Sequence, residues 1–254
     1  MSDRRSQAAI ALIVGTMALY LGRSDAALAY IKAGMQPLLI ASGVLLVGLA
    51  LVAVVGHGPD QHGHQPHGPR VAWLLALPPL ALVLIAPPAL GAFAASRQPI
   101  RPPPVLHRRP SGPSGLAAAS SGDAFPPLIP PGDGTAVPMA LGEYLARDDQ
   151  EPYTLAGVPV RLVGFVTPEH GGHDGYQLTR FVISCCAADA TALRVAIRGD
   201  RVVRAPDTWL EVEGRWQQRT SDDPNQPASD TAVLLAQSVR TIKQPSEPYE
   251  RGVF

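Results

Sequence analysis

Two long stretches without charge constrain this chain more than any other feature of its sequence. Residues 37–56 and 71–95 contain no Asp, Glu, Lys or Arg. A helix needs about 20 apolar residues to cross the hydrocarbon core of a bilayer. Both stretches reach that length, and a helix satisfies its own backbone polar groups inside lipid. The sequence therefore predicts at least two transmembrane helices before residue 96.

A shorter apolar stretch, residues 8–22, precedes these two. It also fits the apolar region of a signal peptide, because Arg4 and Arg5 form a positive segment before it. Two further spans follow it, so a third membrane-spanning helix is the simpler interpretation. We expect residues 1–95 to form an α-helical transmembrane region of about three spans in the cell membrane.

Basic residues flanking the spans give two answers about orientation. One side of the membrane would carry Arg4, Arg5 and Arg70, and the other would carry Arg23, Lys32, Arg97, Arg101, Arg108 and Arg109. The positive-inside rule applied by count places the C-terminal part in the cytoplasm. The arginine pair before the first span argues the opposite. We expect an extracytoplasmic C-terminal domain.

The remainder of the chain divides into a linker and a domain. Residues 96–135 are rich in Pro, Gly, Ser and Ala, a composition typical of an extended tether. Residues 136–254 read as one soluble domain. From residue 140 onward there are 12 Lys and Arg against 16 Asp and Glu, a net charge of −4. Such a surface does not favour phosphate backbones, so we expect no nucleic-acid partner.

Period-two alternation of apolar and polar residues predicts an all-β domain. A short helix is predicted over residues 139–147. The five strands are predicted over residues 158–166, 176–185, 193–198, 210–216 and 232–242. Five short strands separated by turn signals are typical of a small closed barrel, and their spacing favours an oligonucleotide/oligosaccharide-binding (OB) barrel, with a sandwich as the alternative. Gly164 marks a bulge or a close backbone approach in the first strand.

The second predicted strand ends in the two cysteines of the chain, Cys185 and Cys186, and Asp189 follows three residues later. His170 and His173 lie in the preceding loop. Thiolate, imidazole and carboxylate together are a ligand set that zinc accepts, and thiolates favour zinc or Cu(I) over magnesium or calcium. The sequence therefore predicts a zinc site formed by one or both cysteines, Asp189 and a loop histidine.

Other interpretations of the cysteines remain open at this point. Adjacent side chains of a strand point to opposite faces, so we expect one thiol to face the core and the other to face outward. Buried structural cysteines, a vicinal disulfide and a thiol-redox switch are the alternatives. A weaker metal site is predicted between the second and third spans, where four histidines lie within eleven residues: His57, His62, His64 and His67. A plain polar loop is the alternative there.

Several segments resemble a family of uncharacterised bacterial membrane proteins described as subunits of two-component permeases. The matching residues read TRFVISCCAADA at 179–190, DTWLEVEG at 207–214 and IKQPSEPY at 242–249. The resemblance implies a membrane-anchored accessory subunit that works with a polytopic permease. Sequence signatures of hydrolase, zincin, P-loop and dinucleotide-binding enzymes are absent, so we expect no enzymatic activity. A metal-free interaction module and a thiol-redox protein remain alternative functions.

Overall fold

The structure is a computed structural model that describes residues 2–55, 74, 77, 81, 88–99, 125–130, 132, 134–169, 175–218 and 231–251. Two compact units are present. The helical unit comprises residues 1–89 together with 185–187, and the sheet unit comprises residues 90–184 and 188–254.

The helical unit contains helices α1 (Ser2–Arg23) and α2 (Gln36–Val55), joined through the short 3-10 turns Asp25–Ala29 and Ala33–Met35. The two helices approach closely at a pair of glycines. A Cβ atom on Gly43 would lie 2.9 Å from the carbonyl oxygen of Gly15. Small residues at such a crossing let helix backbones come together, as at helix interfaces in membranes.

Among the described residues, one helical segment is long and apolar enough to cross a membrane, namely Ala33–Val55. It corresponds to the second predicted span. The apolar part of α1, Gln7–Arg23, is shorter. Its 17 residues span about 25 Å at 1.5 Å per residue, less than the roughly 30 Å of a hydrocarbon core. The third predicted span, residues 71–95, lies mostly outside the described residues.

Residues 185–187 pair with the connection between α1 and α2. The N–H of Lys32 donates to the carbonyl oxygen of Cys185 at 3.1 Å, and the N–H of Ala187 donates to that of Tyr30 at 2.7 Å. Ile31 and Cys186 form the antiparallel bridge between these bonds. This connection is therefore held by main-chain hydrogen bonds to the twin-cysteine run.

The sheet unit is a mixed β-sheet domain with one longer helix, which confirms the predicted helix-then-strands order in outline. Its elements are α3 (Ala92–Ser96), β1 (Val137–Pro138), α4 (Leu141–Gln150), β2 (Pro159–Pro168), β3 (Tyr176–Ile183), β4 (Thr191–Arg198), β5 (Trp209–Gln217), β6 (Ala232–Thr241) and β7 (Glu250–Arg251). All five predicted strands are present as β2 to β6, each starting within two residues of its predicted position.

Each of the five long strands pairs with two others. β2 pairs antiparallel with β3 and β5, β3 pairs antiparallel with β4, β4 pairs parallel with β6, and β5 pairs antiparallel with β6. The pairing therefore closes in the cycle β2-β5-β6-β4-β3. The side chains turned inward form one buried apolar cluster together with those of α4, including Tyr144, Leu162, Leu178 and Leu210.

Gly164 is a site of close approach, as predicted, rather than a bulge. A Cβ atom at this position would lie 2.7 Å from the carbonyl oxygen of Thr179 on β3. The register irregularity of the sheet lies instead between Glu213 and Gly214, where β5 pairs with β6. A side chain at residue 164 would therefore push apart β2 and β3.

Helix α4 takes its N-terminal cap from the far end of the chain. Its N-cap residue, Ala140, has no side chain able to accept a hydrogen bond. The buried carboxylate of Glu250 fills this role, since Oε1 accepts the N–H of Leu141 at 2.6 Å and Oε2 accepts the N–H of Gly142 at 2.9 Å. Glu250 reaches this position because β7 runs parallel to the end of β3.

Residues on both sides of the predicted start of the linker contact the sheet unit. Residues 90–99, which we call the strap, belong to the sheet unit, although the sequence predicts a membrane span over residues 71–95 and a tether over residues 96–135. Ala92 donates its N–H to Asp207, and Leu90 donates its N–H to the hydroxyl of Tyr249 at 3.1 Å. The hydrophobicity of residues 90–95 thus serves partly for packing, since Ala92 and Ala95 are buried.

The other end of the predicted linker is also docked. The guanidinium of Arg147 on α4 lies over the ring of Phe125 at 4.9 Å and donates to the carbonyl oxygen of Pro126 at 3.1 Å. Glu143 on the same helix accepts from the same guanidinium at 2.8 Å. Phe125 and Pro126 therefore contact α4, and the predicted linker bounds, residues 96–135, stay a prediction.

Candidate metal site at the twin cysteines

The twin cysteines lie in the connection between β3 and β4. β3 ends at Ile183, two residues earlier than predicted, and a 3-10 turn covers Ala187–Asp189 before β4 begins. The turn is closed by Asp189, whose Oδ1 accepts the N–H of Ser184 at 2.8 Å. This local hydrogen bond competes with continuation of the strand and folds the run back on itself.

The fold-back brings the three candidate ligands together. The Sγ atoms of Cys185 and Cys186 lie 3.7 Å apart. With an oxygen of Asp189, the ligand atoms all lie within 4.8 Å of one another. Two Zn–S bonds of about 2.3 Å at the tetrahedral angle place their sulfur atoms about 3.8 Å apart. The group of two thiols and one carboxylate can therefore hold a metal ion with little rearrangement of the sulfur atoms.

Neither cysteine faces the hydrophobic core. Cys185 is exposed and Cys186 is partly exposed. The expectation that one thiol points inward is therefore wrong, because the strand stops before the cysteines and its alternation no longer applies. The interpretation of the pair as buried structural cysteines is wrong for the same reason. No disulfide joins them, since a disulfide bond is about 2.05 Å long.

The predicted histidine ligands lie outside the described residues. His170 and His173 belong to the segment between β2 and β3, and His57, His62, His64 and His67 belong to the segment after α2. The zinc prediction for these six side chains stays a prediction. Among the described residues, Cys185, Cys186 and Asp189 are the one group of three or more metal-ligating side chains close enough to share an ion.

The burial of Arg194 in the sheet unit is not predicted from the sequence. The alternation of β4 predicts Arg194 as an outward polar residue of a half-buried strand, yet only 9% of it is exposed. The strap covers it. The side-chain amide of Gln98 on the strap accepts the N–H of Ala192 at 2.8 Å and donates to the carbonyl oxygen of Ala190 at 2.8 Å. No local signal in the sequence connects residue 98 with β4.

These observations define a class of protein. It combines a helical region that holds one candidate membrane span with a mixed β-sheet domain that carries an exposed group of two thiols and one carboxylate. Residues 143–250 match the family model of the DUF1980 C-terminal domain, so this domain is found in the chain. The match begins in the first turn of α4, ends at Glu250 and includes both cysteines and Asp189. No curated protein matches the chain.

Proposed function

We propose that the chain is a membrane-anchored accessory subunit of a permease whose β-sheet domain binds a transition-metal ion, zinc, at Cys185, Cys186 and Asp189. The role is one of binding rather than catalysis. The single observation that carries the metal part is the geometry of the fold-back, in which both thiols and the carboxylate converge. The resemblance to permease subunits supports the transport context.

The chemistry of the group favours zinc over the hard cations. Two thiolates are soft ligands, and zinc accepts sulfur together with a carboxylate oxygen in a tetrahedral shell. Three protein ligands leave one position open. An open position suits an ion that is delivered or exchanged, because an incoming ligand can enter the shell before the outgoing one leaves. His170 and His173 are the candidates for a fourth ligand that would close the shell.

The anchoring part of the proposal rests on helix α2. Large apolar side chains on this helix face outward, with Leu45 63% exposed, Val52 69% exposed and Val55 71% exposed. An uninterrupted apolar surface of this kind requires either lipid or an apolar partner. The bilayer and the transmembrane helices of a polytopic permease both meet that requirement, so we propose both as partners of α2.

The pairing of Tyr30–Lys32 with residues 185–187 supports three spans. If α2 crosses the bilayer, the chain leaves the side on which residues 30–32 lie. It must return to that side before residue 185, so a further crossing is needed between α2 and the cysteines. The uncharged residues 71–89, which precede the strap, are the candidate. If α1 also crosses the bilayer, with its flanking residues at the interfaces, the N-terminal Arg4 and Arg5 favour a cytoplasmic N-terminus and an extracytoplasmic twin-cysteine site.

The strand connectivity supports assignment of the sheet unit to the OB class. Its cycle contains one parallel contact, between the third and fifth long strands, and four antiparallel contacts, which is the arrangement of a five-stranded barrel built on a Greek key. A sandwich would leave the edges of two sheets without this cyclic pairing.

Metal loading tests the central proposal. The full-length protein, purified anaerobically in detergent and incubated with zinc, is expected to retain one ion per chain after desalting. The double variant C185S/C186S is expected to lose it, since a hydroxyl is a poor replacement for a thiolate ligand. Ser184→Ala, a change of an exposed neighbouring residue, is the matched control and should retain the ion. With Co²⁺ in place of zinc, a thiolate-to-metal charge-transfer band should appear in the wild type and be lost in the double variant.

A separate experiment tests whether a loop histidine is the fourth ligand. H170A and H173A are compared at limiting zinc, with a competing chelator. A decrease in affinity for one variant and not for the other identifies the fourth ligand. Equal zinc content in the wild type and in C185S/C186S would refute the twin-cysteine site whatever the histidines do.

A thiol-redox function is the second candidate, and the exposure of both sulfur atoms 3.7 Å apart favours it. Two thiols that act as a redox pair would be oxidised to a disulfide by a dithiol–disulfide exchange partner and would lose zinc on oxidation. Mass spectrometry after alkylation in intact cells distinguishes the two functions. Alkylation of both thiols under growth conditions supports metal binding, and a mass lower by two hydrogens with no alkylation supports the redox function.

The chain offers a direct test of topology because it has two cysteines and both lie at the site. A maleimide that does not cross membranes should label intact cells or spheroplasts that produce the wild-type chain and should not label C185S/C186S. Labelling that requires lysis would place the site in the cytoplasm. The partner is tested by photocross-linking from Val52, which is expected to reach a polytopic permease, with the buried Ile10 as the control position.

A further inference from the structure

The side chain of Arg194 is buried where the strap crosses β4. Its Nη2 atom donates to the carbonyl oxygen of Ala95 and to that of Gln98 at 3.0 Å, and Nη1 donates to the carbonyl oxygen of Pro99 at 3.4 Å. The carbonyl of Ala95 lies in the last turn of the short helix α3, and those of Gln98 and Pro99 follow it. Each carbonyl oxygen carries only a partial negative charge, so these contacts do not neutralise the guanidinium as a carboxylate would.

Arg194 differs in this respect from other arginines of the sheet unit. Arg147 is paired with Glu143, and Arg204 is paired with Asp200. Within the described ranges no carboxylate lies within ion-pair distance of Arg194, and burial alone lowers the pKa of its guanidinium. A cation that has left water without a carboxylate partner is costly, so an anion beside it would be bound with favourable energy.

A cavity of about 240 Å³ adjoins this guanidinium. Two other buried polar side chains line it. Gln177 on β3 is 5% exposed, and its side-chain amide forms no hydrogen bond with another described residue. Thr167 on β2 is 3% exposed, and its hydroxyl lies 2.6 Å from that of Thr179. The remaining lining includes Pro99 and Pro168, whose rings are apolar.

We propose that this cavity binds a small organic carboxylate. Both N–H groups of Nη2 are used by the strap, which leaves Nε–H to donate to one carboxylate oxygen, and one monoanion balances the single charge of the guanidinium. The amide of Gln177 would donate a further hydrogen bond to the same head group, and the proline rings would pack against a short hydrocarbon body. At about 30 Å³ per water molecule, the volume holds roughly eight water-sized groups, enough for a short-chain acid. This site is distinct from the proposed metal site.

The proposal is tested on the full-length protein in nanodiscs with sodium butyrate as the probe. Ligand-observed NMR titration is expected to give saturable binding of butyrate, at constant ionic strength maintained with chloride. Butyramide, which has the same shape and no charge, is expected to bind at least tenfold more weakly. Equal binding of the two compounds would refute the pairing with a guanidinium.

Two variants locate the binding. R194Q removes the charge, and it also removes contacts that hold the strap, so it can alter the fold. Gln177→Leu keeps the volume and all hydrogen bonds of the strap, and is expected to weaken butyrate binding by about fivefold or more, as for the loss of one hydrogen bond to a charged group. The exposed Arg201→Gln is the matched control. Undiminished binding in Q177L and R194Q, or equal affinity for inorganic phosphate, would overturn the assignment.

Discussion

Glu250→Gln tests the long-range cap of helix α4 most directly. The wild-type carboxylate accepts two main-chain N–H groups, from Leu141 and Gly142. The amide introduced by this substitution keeps one oxygen acceptor and turns an NH₂ group toward the second donor. Gly142 or Leu141 then loses its partner in a buried position. An unsatisfied buried donor costs about 1–3 kcal/mol.

The cost of burying the charge of Glu250 reduces the loss of stability expected for E250Q. Burial raises the pKa of Glu250, although the N–H groups of Gly142 and Leu141 and the charge of Arg180 oppose this rise. The ionised carboxylate is thus less favourable than its two hydrogen bonds alone indicate. We expect E250Q to reduce the free energy of unfolding by about 1–2 kcal/mol, and E250A by about 2–3 kcal/mol because both donors lose their partner.

Hydrogen exchange measured by mass spectrometry on the full-length protein gives a local readout. Amides in the first turn of α4 should exchange about 5 to 30 times faster in E250Q, since roughly 1.4 kcal/mol corresponds to a factor of ten. Asp149→Asn is the control, because Asp149 is an exposed residue on the same helix. Unchanged exchange in peptides covering α4, together with an unchanged melting temperature, would refute the cap as a source of stability.

Two further perturbations test the sheet unit. Gly164→Ala places a Cβ atom 2.7 Å from a backbone oxygen of β3 and should lower the free energy of unfolding by about 1–3 kcal/mol. Gly132→Ala is the control and should melt like the wild type, because nothing lies within 4 Å of a Cβ atom at that position. Equal melting temperatures of the two variants would contradict the close approach. Asp200 accepts hydrogen bonds from Tyr176 and Arg204. Burial alone would raise its pKa, but these bonds outweigh it and hold the pKa below 3.8. As the pH falls below 3.8, the unfolded chain binds the proton first, so the stability from Asp200 is lost in that range. Urea unfolding should therefore show D200N less stable than the wild type by about 1–3 kcal/mol at pH 7, with the gap narrowing below 3.8; a constant gap would contradict the shift.

Local patterns predict the parts of the fold that depend on near neighbours. The alternation of Leu193, Val195 and Ile197 places β4 correctly because one face of that strand packs on the core. Gly164 correctly indicates a close approach, since the absence of a side chain is itself the signal. Both inferences need only the residues of one strand.

The errors concern residues whose surroundings come from distant segments or from a turn. Alternation along β3 predicts a strand through Cys185, but the hydrogen bond from Ser184 to Asp189 ends the strand first. The pattern of β4 predicts Arg194 at the surface because nothing in that strand reveals that residues 90–99 cover it. The cap of α4 joins residues 141 and 250, a separation over which the sequence carries no periodic signal.

The closed pairing cycle has a consequence for how the chain is made. β6 completes the cycle by pairing with both β4 and β5, and Glu250 then caps the helix that began the domain. Until β6, which ends at Thr241, has left the ribosome, β4 and β5 each lack one neighbour, and α4 lacks its cap until Glu250 follows. The domain cannot fold progressively from its N-terminal side, so its early strands remain open to proteases and chaperones until synthesis of this region is finished. A frameshift or stop codon before the end of β6 at Thr241 would leave the pairing cycle open, whereas one just before residue 250 would remove β7 and the cap of α4.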